Sequence, residues 1–280
     1  MKSLHTFRKW WNQSVHLRIG LVMFVVVVLV ALLAPVLETH DPYRLLGPVS
    51  HAPDGEWLLG TDSLGGDVYS MVIEGSRTSL RIGFIAALIS GAIGVLVGGI
   101  SGFFGGKTDR IISEAINVFL MLPTFFLVLL TVALFGSSIT NVMIIIGLTS
   151  WPGNARLMRV QALSLKERVF IKSAEALGES RSSILFRYII PNGIFPVVTN
   201  TAMGIAGAIL MEASLSFLGL GDPNIVSWGQ LIYAGKSYMT TAWWVTVFPG
   251  LAIIFTVMSI YLICDGLNNI LNPKNARREA

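Results

Sequence analysis

Six stretches of this chain are apolar for about the twenty residues that a helix needs to cross the hydrocarbon core of a bilayer. They are 19–37, 80–104, 111–135, 139–158, 191–213 and 244–266. Pro152 interrupts the fourth near one end, and Pro123 predicts a bend in the third. Segment 38–79 is too rich in Gly, Pro and Asp to be another crossing. The pattern predicts an all-α polytopic membrane protein with both termini on one side. A tail, 1–18, leads into the first helix, 19–37, and then the outer loop 38–79. A five-helix core, 80–266, contains an inner loop at 159–190 and an outer loop at 214–243, and a second tail covers 267–280.

Composition supports this picture. The chain is 53% hydrophobic and 13% charged, where soluble domains carry about 25% charged residues. Mean hydropathy is +0.69. The net charge of +4 does not imply nucleic acid, because the basic residues are dispersed beside apolar runs. They serve orientation instead. Lys2, Arg8, Lys9, Arg18, Lys107, Arg110, Arg156, Arg159, Lys166, Arg168, Lys172, Arg181, Arg187, Lys274, Arg277 and Arg278 fall on one side, read as cytoplasmic. Only Arg44, Arg77, Arg81 and Lys236 fall on the other or at its edge. The first apolar run is long for a signal peptide, and Pro35-Val-Leu37 replaces a small-residue cleavage site, so it reads as a retained anchor. Cys264 reads as a small buried hydrophobe. In the second outer loop Trp228, Tyr233, Tyr238 and Trp243 read as interfacial anchors, with partner contact as the alternative.

The inner loop is the most organised polar segment. Ser164-Leu-Lys-Glu167 has capping-box spacing. Leu165, Val169 and Ala176, with Phe170, Ala174 and Leu177, form an apolar stripe at helical spacing. Gly178 stands where that helix should end, and glycine accepts the left-handed cap conformation. Ser180 can start a second helix carrying Ile184, Leu185, Tyr188 and Ile189, and Pro191-Asn192 mark re-entry to the membrane. A basic amphipathic helix can lie on lipid. Here Glu167, Glu175 and Glu179 interleave with the bases, a mixture that also suits a groove on a soluble protein.

Glu175-Ala-Leu-Gly178, followed by Ile184, Arg187 and Ile190-Pro-Asn192, resembles the EAA loop of ABC importer permeases. Gly60-Thr-Asp-Ser-Leu-Gly-Gly-Asp67 is similar to a segment of the dipeptide, oligopeptide and nickel permeases, in their dipeptide-permease C branch. The likeness continues through Ser150-Trp-Pro152, Ala155-Arg156, Ser164-Leu-Lys-Glu-Arg168 and Glu212-Ala-Ser-Leu-Ser-Phe-Leu-Gly-Leu-Gly221. Ser227-Trp-Gly229, Phe248-Pro-Gly250 and Asp265-Gly-Leu267 extend it over nearly the whole chain beyond about residue 20. Gly66, Cys264 and Asn268-Asn269 depart from the family pattern, at positions of an arginine, a glycine and an Arg-Asp pair.

The resemblance implies a six-helix, type I importer (MetI-like) permease in the bacterial inner membrane, with cytoplasmic termini. The implied partners are a second homologous permease, two cytoplasmic ATPases, an extracytoplasmic substrate-binding protein and membrane lipid. It also implies that ATP and magnesium are held by the ATPases, and that this chain binds no cofactor or metal and has no catalytic residue. The ATPase-coupling residues it implies are Phe170, Lys172, Ser173, Ala174, Glu175, Ala176, Leu177, Gly178 and Glu179. Peptides are the implied cargo, with nickel or another metal chelate as the alternative. Gly105-Gly-Lys-Thr108 imitates a phosphate loop, but Ser101 occupies the place of its first glycine and a membrane helix precedes it.

Within the membrane, Ser90, Gly94, Gly98 and Gly102 recur at every fourth residue and predict close helix packing, with lining of the path as the alternative. Gly204, Ala208 and Glu212 align similarly. Glu212 falls near the outer interface, as a hydrogen-bonded or snorkelling carboxylate or as an outer-gate or substrate contact. Asp265 reads as an inner-interface polar contact. No His-Glu-x-x-His or Gly-x-Ser-x-Gly motif suggests an intramembrane enzyme, and His40-Asp41 and His51-Asp54 read as loop surface rather than metal sites. A stand-alone channel or ion-driven carrier would usually carry paired charges at mid-membrane.

Overall fold

The structure, a computed structural model, describes residues 14–271. Lys2, Arg8, Lys9, Lys274, Arg277 and Arg278, used above for orientation, lie outside the described residues, as do most of both tails. The described residues form nine principal helices, α1 Val15–Leu32, α2 Val68–Phe104, α3 Gly106–Met121, α4 Thr124–Phe135, α5 Ile139–Leu165, α6 Val169–Ala176, α7 Phe195–Phe217, α8 Trp228–Gly235 and α9 Trp244–Leu271. By length and apolarity, α1, α2, α7 and α9 can each cross a membrane. Helices α3 and α4, bent by 79° at their break, make a fifth if the pair is one span.

Several boundaries differ from the sequence reading. Helix α1 stops at Leu32 rather than 37, and a one-turn helix, Ala34–Leu37, follows with Pro35 in its first turn. Helix α2 begins at Val68, twelve residues before the expected 80, because Asp67 caps it: its carboxylate accepts from the Ser70 amide at 3.2 Å and the Ser70 hydroxyl at 2.6 Å. Pro123 ends one helix and starts another instead of merely bending one. Pro152 does the reverse. Helix α5 continues through it to Leu165, so the inner loop starts later than 159. The helices that carry the last two expected spans run over 195–217 and 244–271.

The chain divides into two compact units. Among the described residues, the first comprises those up to Gly83, Ser137–Ile139 and those from Ile205 onward. Here α1 packs along α9, with Gly20 against the backbone of Ser259 and Ile263. His16 Nδ1 meets Asp265 Oδ2 at 2.7 Å, a contact that ties these helices at the position read as polar from sequence. Cys264 is buried. The segment before α2 is folded around Trp57, and the Trp244 indole N–H donates to the Thr61 carbonyl at 3.0 Å. His40 stacks on Trp57 and approaches Asp67, while His51 pairs with Asp54 at 3.3 Å.

The second unit comprises Phe84–Gly136 and Thr140–Gly204. Its spine is the contact between the later half of α2 and α5. A Cβ at Gly94, Gly98 or Gly102 would run into Asn154 Cβ, the Ala155 carbonyl oxygen and the Arg159 carbonyl oxygen, respectively. Only glycine permits that approach. Ser90 completes the row by accepting from Asn154 Nδ2 at 3.0 Å, and Asn154 Oδ1 accepts from Asn200 at 2.8 Å.

Candidate functional site

The loop between α5 and α7 lies wholly in the second unit, and its order comes from short-range chemistry. Helix α6 starts after Arg168, which has extended backbone and makes no side-chain cap bond. The expected capping box is therefore absent. Ser164 lies inside α5, and Glu167 reaches forward to Lys172 Nζ at 3.0 Å. That hydrogen bond, and then the lysine charge, lower the Glu167 pKa below the usual carboxylate range.

The end of α6 is a complete Schellman cap. Gly178 has φ +82°, its amide donates to the Glu175 carbonyl at 3.0 Å, and the Glu179 amide donates to Ala174 at 3.1 Å. A Cβ at Gly178 would meet nothing within 4 Å, so the demand for glycine there is one of backbone conformation alone. Ser180 then caps the next helix by accepting from the Ser183 amide at 3.2 Å. That helix passes through a π-helical turn, Leu185–Ile189, into Ile190–Gly193.

Burial divides α6 into two faces. Ile171 and Ala174 are buried in a cluster with Met158, Ala162, Phe103 and Val197, joined by Ile184, Leu185 and Ile189. Ile171, fully buried, was absent from the stripe read in the sequence. Most of that stripe points the other way: Val169 is 80% exposed, Phe170 44% and Leu177 86%. Lys172, Ser173, Glu175, Ala176 and Gly178 are exposed beside them, and Glu179 is half-buried. Leu165, Val169, Phe170, Leu177, Glu179 and Tyr188 border a shared groove. The result is an anchored helix with an uncovered apolar face, edged by both signs of charge.

Residues 94–277 match the profile of a family described as "Binding-protein-dependent transport system inner membrane component". The chain belongs to that family. It is 34% identical over 263 residues to the dipeptide transport system permease protein DppC of Alkalihalophilus pseudofirmus, covering 91% of this chain and 85% of the relative. It is 35% identical over 280 residues to the glutathione transport system permease protein GsiD of Pectobacterium atrosepticum, covering 98% and 93%. In fold it resembles the inward-facing MetNI methionine ABC transporter, with a TM-score of 0.55 and 17% identity over 70% of this chain and 94% of that one. The protein is thus a permease subunit of an ABC importer in the bacterial inner membrane, and ATP hydrolysis resides in partner subunits.

The other residues singled out in the sequence are scattered. Ser90, Gly94, Gly98 and Gly102 pack on α5. Gly204 does not share such a contact: it is exposed, and the nearest atom to its Cβ position is Ala87 Cβ at 3.9 Å. Ala208 and Glu212 are buried in the first unit. Glu212 is 5% exposed, cut off from the water expected at an interface, and its Oε1 accepts from the Ser216 and Ser227 hydroxyls, each at 2.7 Å. Trp228 is also buried, and its indole N–H donates to the Val72 carbonyl at 2.9 Å, so it is a core residue and not an interfacial anchor.

Proposed function

We propose that this permease serves a peptide importer and that α6 is its coupling helix, seated in a cleft on one cytoplasmic ATPase. The observation that carries the reading is the division of α6: Ile171 and Ala174 fix it to its own subunit while Val169, Phe170 and Leu177 stand uncovered. A partner that covers those side chains gains apolar burial, and the Schellman cap at Gly178 sets the direction of the chain that receives the load. Glu175 and Lys172 at the rim select orientation more than they add affinity.

The proposed topology has six crossings: α1, α2, the bent α3–α4 pair, α5, α7 and α9, with cytoplasmic termini. Helix α5 is less apolar than the others, but its polar residues are answered inside the unit, Asn154 by Ser90 and Asn200, and Arg159 by Asp109. The basic residues Lys107, Arg110, Lys166, Arg168 and Lys172 then share the cytoplasmic side with α6. Two ATPases, a second permease and an extracytoplasmic binding protein complete the assembly, and ATP and magnesium are held by the ATPases. Closure of the ATPase pair draws the coupling helices together and turns the path from inward-open to outward-open. Inverting a preference of ~99:1 needs about 5.5 kcal/mol, supplied as differential affinity for the two states. The cargoes named for the relatives, dipeptides and glutathione, favour peptides over metal chelates.

Reconstitution tests the reading. Peptide uptake into proteoliposomes is expected only when the second permease, the ATPases, the binding protein and ATP are all present. Uphill uptake by this chain alone would overturn it.

A further inference from the structure

Below the glycine row, three helices meet at one carboxylate. Asp109, in the first turn of α3, accepts from Arg159 Nε at 2.6 Å and Arg159 Nη2 at 2.7 Å, a bidentate pair. The same Oδ1 accepts from the Ser101 hydroxyl, on α2, at 2.6 Å and from the Ser113 hydroxyl, one turn on in α3, at 3.3 Å. The pair is largely shielded, with the Asp109 side chain 19% exposed and that of Arg159 29%. Two further features make the joint tight. Gly105 and Gly106, both at positive φ, reverse the chain sharply between α2 and α3, and Gly102 lies against the Arg159 carbonyl. Arg159 stands on the last turns of α5, which ends at Leu165 just before α6. Helix α3 leads in the other direction to the 79° break at Pro123 and on to α4.

Resting on the docking role of α6 proposed above, the geometry points to Asp109 and Arg159 as a positioning pair for transport. They clamp the inner end of α5 to the α2–α3 reversal, so that a displacement of α6 moves α3 and α4 as well as α5. Neither residue needs to touch cargo or nucleotide. A single flexible contact would let α5 slip relative to α3. The planar fork of arginine on a carboxylate resists rotation as well as separation, which is why lysine is a poor substitute there.

The test uses the complete reconstituted complex and reads peptide transported per ATP hydrolysed, beside the amount of assembled complex. Purely structural damage lowers transport and hydrolysis together and leaves their ratio unchanged. Asp109→Asn is expected to leave assembly and hydrolysis largely intact and to lower the ratio by about tenfold, a usual size for coupling between two sites. Arg159→Lys should fall between that variant and the parent. The exchange Asp109→Arg with Arg159→Asp should recover part of the ratio lost by either of those two changes made alone, and with those two single variants it closes a double-mutant cycle for the pair. Unchanged ratios in Asp109→Asn and Arg159→Lys would overturn the proposal, and so would additive losses in the exchange variant. Failure of the docking reading looks different: a complex whose single change is Leu177→Asp would then hold its ATPases and transport peptide as the parent does.

Discussion

Two connections in this molecule carry a short helix, and they treat their apolar residues in opposite ways. Between α5 and α7, helix α6 buries Ile171 and Ala174 yet leaves Val169 and Leu177 at 80% and 86% exposure. Between α7 and α9, helix α8 hides Trp228 and Leu231, each 2% exposed. Its N-cap Ser227 accepts from Gln230 and donates to the buried Glu212. Helix α8 is thus part of the fold of its unit, whereas α6 is held by its unit but only half covered by it. Under the proposed coupling role, that uncovered apolar face is a docking surface rather than a packing defect.

The largest expected effect tests that difference directly. Trp228→Ala removes a full indole and its hydrogen bond to Val72, and buried Trp→Ala changes cost ~3–5 kcal/mol. The thermal midpoint of the purified permease should fall steeply. Leu177→Ala should leave the midpoint where it is and instead weaken co-purification with the ATPases. If the two variants exchanged these outcomes, the contrast between α6 and α8 would collapse.

Gly178→Val comes next. The site is open in space, so the penalty is the positive φ, about 1–3 kcal/mol for a β-branched residue. The expected result is near-normal insertion and loss of substrate-stimulated ATP hydrolysis, because Glu179 and the helix from Arg181 are misaimed. Gly178→Asn, which tolerates the left-handed region, should retain part of the stimulation. Full transport by the valine variant would show that the direction set by this cap does not matter.

The difference between these sites also explains what was legible in the chain. Gly178 and Ser180 were readable because a cap depends on a few adjacent residues. The glycine row on α2 was readable for a similar reason, since spacing alone puts Gly94, Gly98 and Gly102 on one face. What was lost depends on distant partners. Ile171 was missed because α6 is apolar on two faces and periodicity does not say which turns inward. Ser164-Leu-Lys-Glu167 matched a capping box, but α5 ran past its proline and absorbed the serine. Asp67 was a missed signal: aspartate three residues before Ser70 is an N-cap pattern, and it would have moved the start of α2 to Val68. Trp228 looked like an interfacial anchor because its Val72 partner is remote in sequence. Arg159 was read only as an orientation charge, with nothing local to show that Asp109 would meet it.

A smaller effect is expected at the cap of α8. Ser227→Ala removes the oxygen that accepts from Gln230 and one of two donors to Glu212 Oε1, which leaves Ser216 alone on that carboxylate. Loss of an N-cap serine costs about 0.5–2 kcal/mol, and the weakened buried contact puts this site toward the upper part. Thermal unfolding should register it clearly, and Ser227→Thr should recover most of the loss.

The smallest effect belongs to the polar pair on the other connection. Glu167 and Lys172 are joined at 3.0 Å, but their side chains are 65% and 60% exposed. The lysine lowers the Glu167 pKa, first by its hydrogen bond and then by its charge. A depressed carboxylate pKa stabilises the folded state above the ordinary carboxylate range, and that stabilisation is lost as the pH falls through the lowered value. Near neutral pH the pair is therefore fully formed and brings no pH dependence, and as an exposed ion pair it adds little to stability. Glu167→Gln should leave the neutral-pH thermal midpoint unchanged within error, in contrast to Ser227→Ala. A loss as large as that of Ser227→Ala would mean that α6 depends on its exposed ion pair as much as α8 depends on its cap. Ile171 and Ala174 would then no longer suffice as its anchor, and the uncovered side chains would lose their claim to be a prepared docking face.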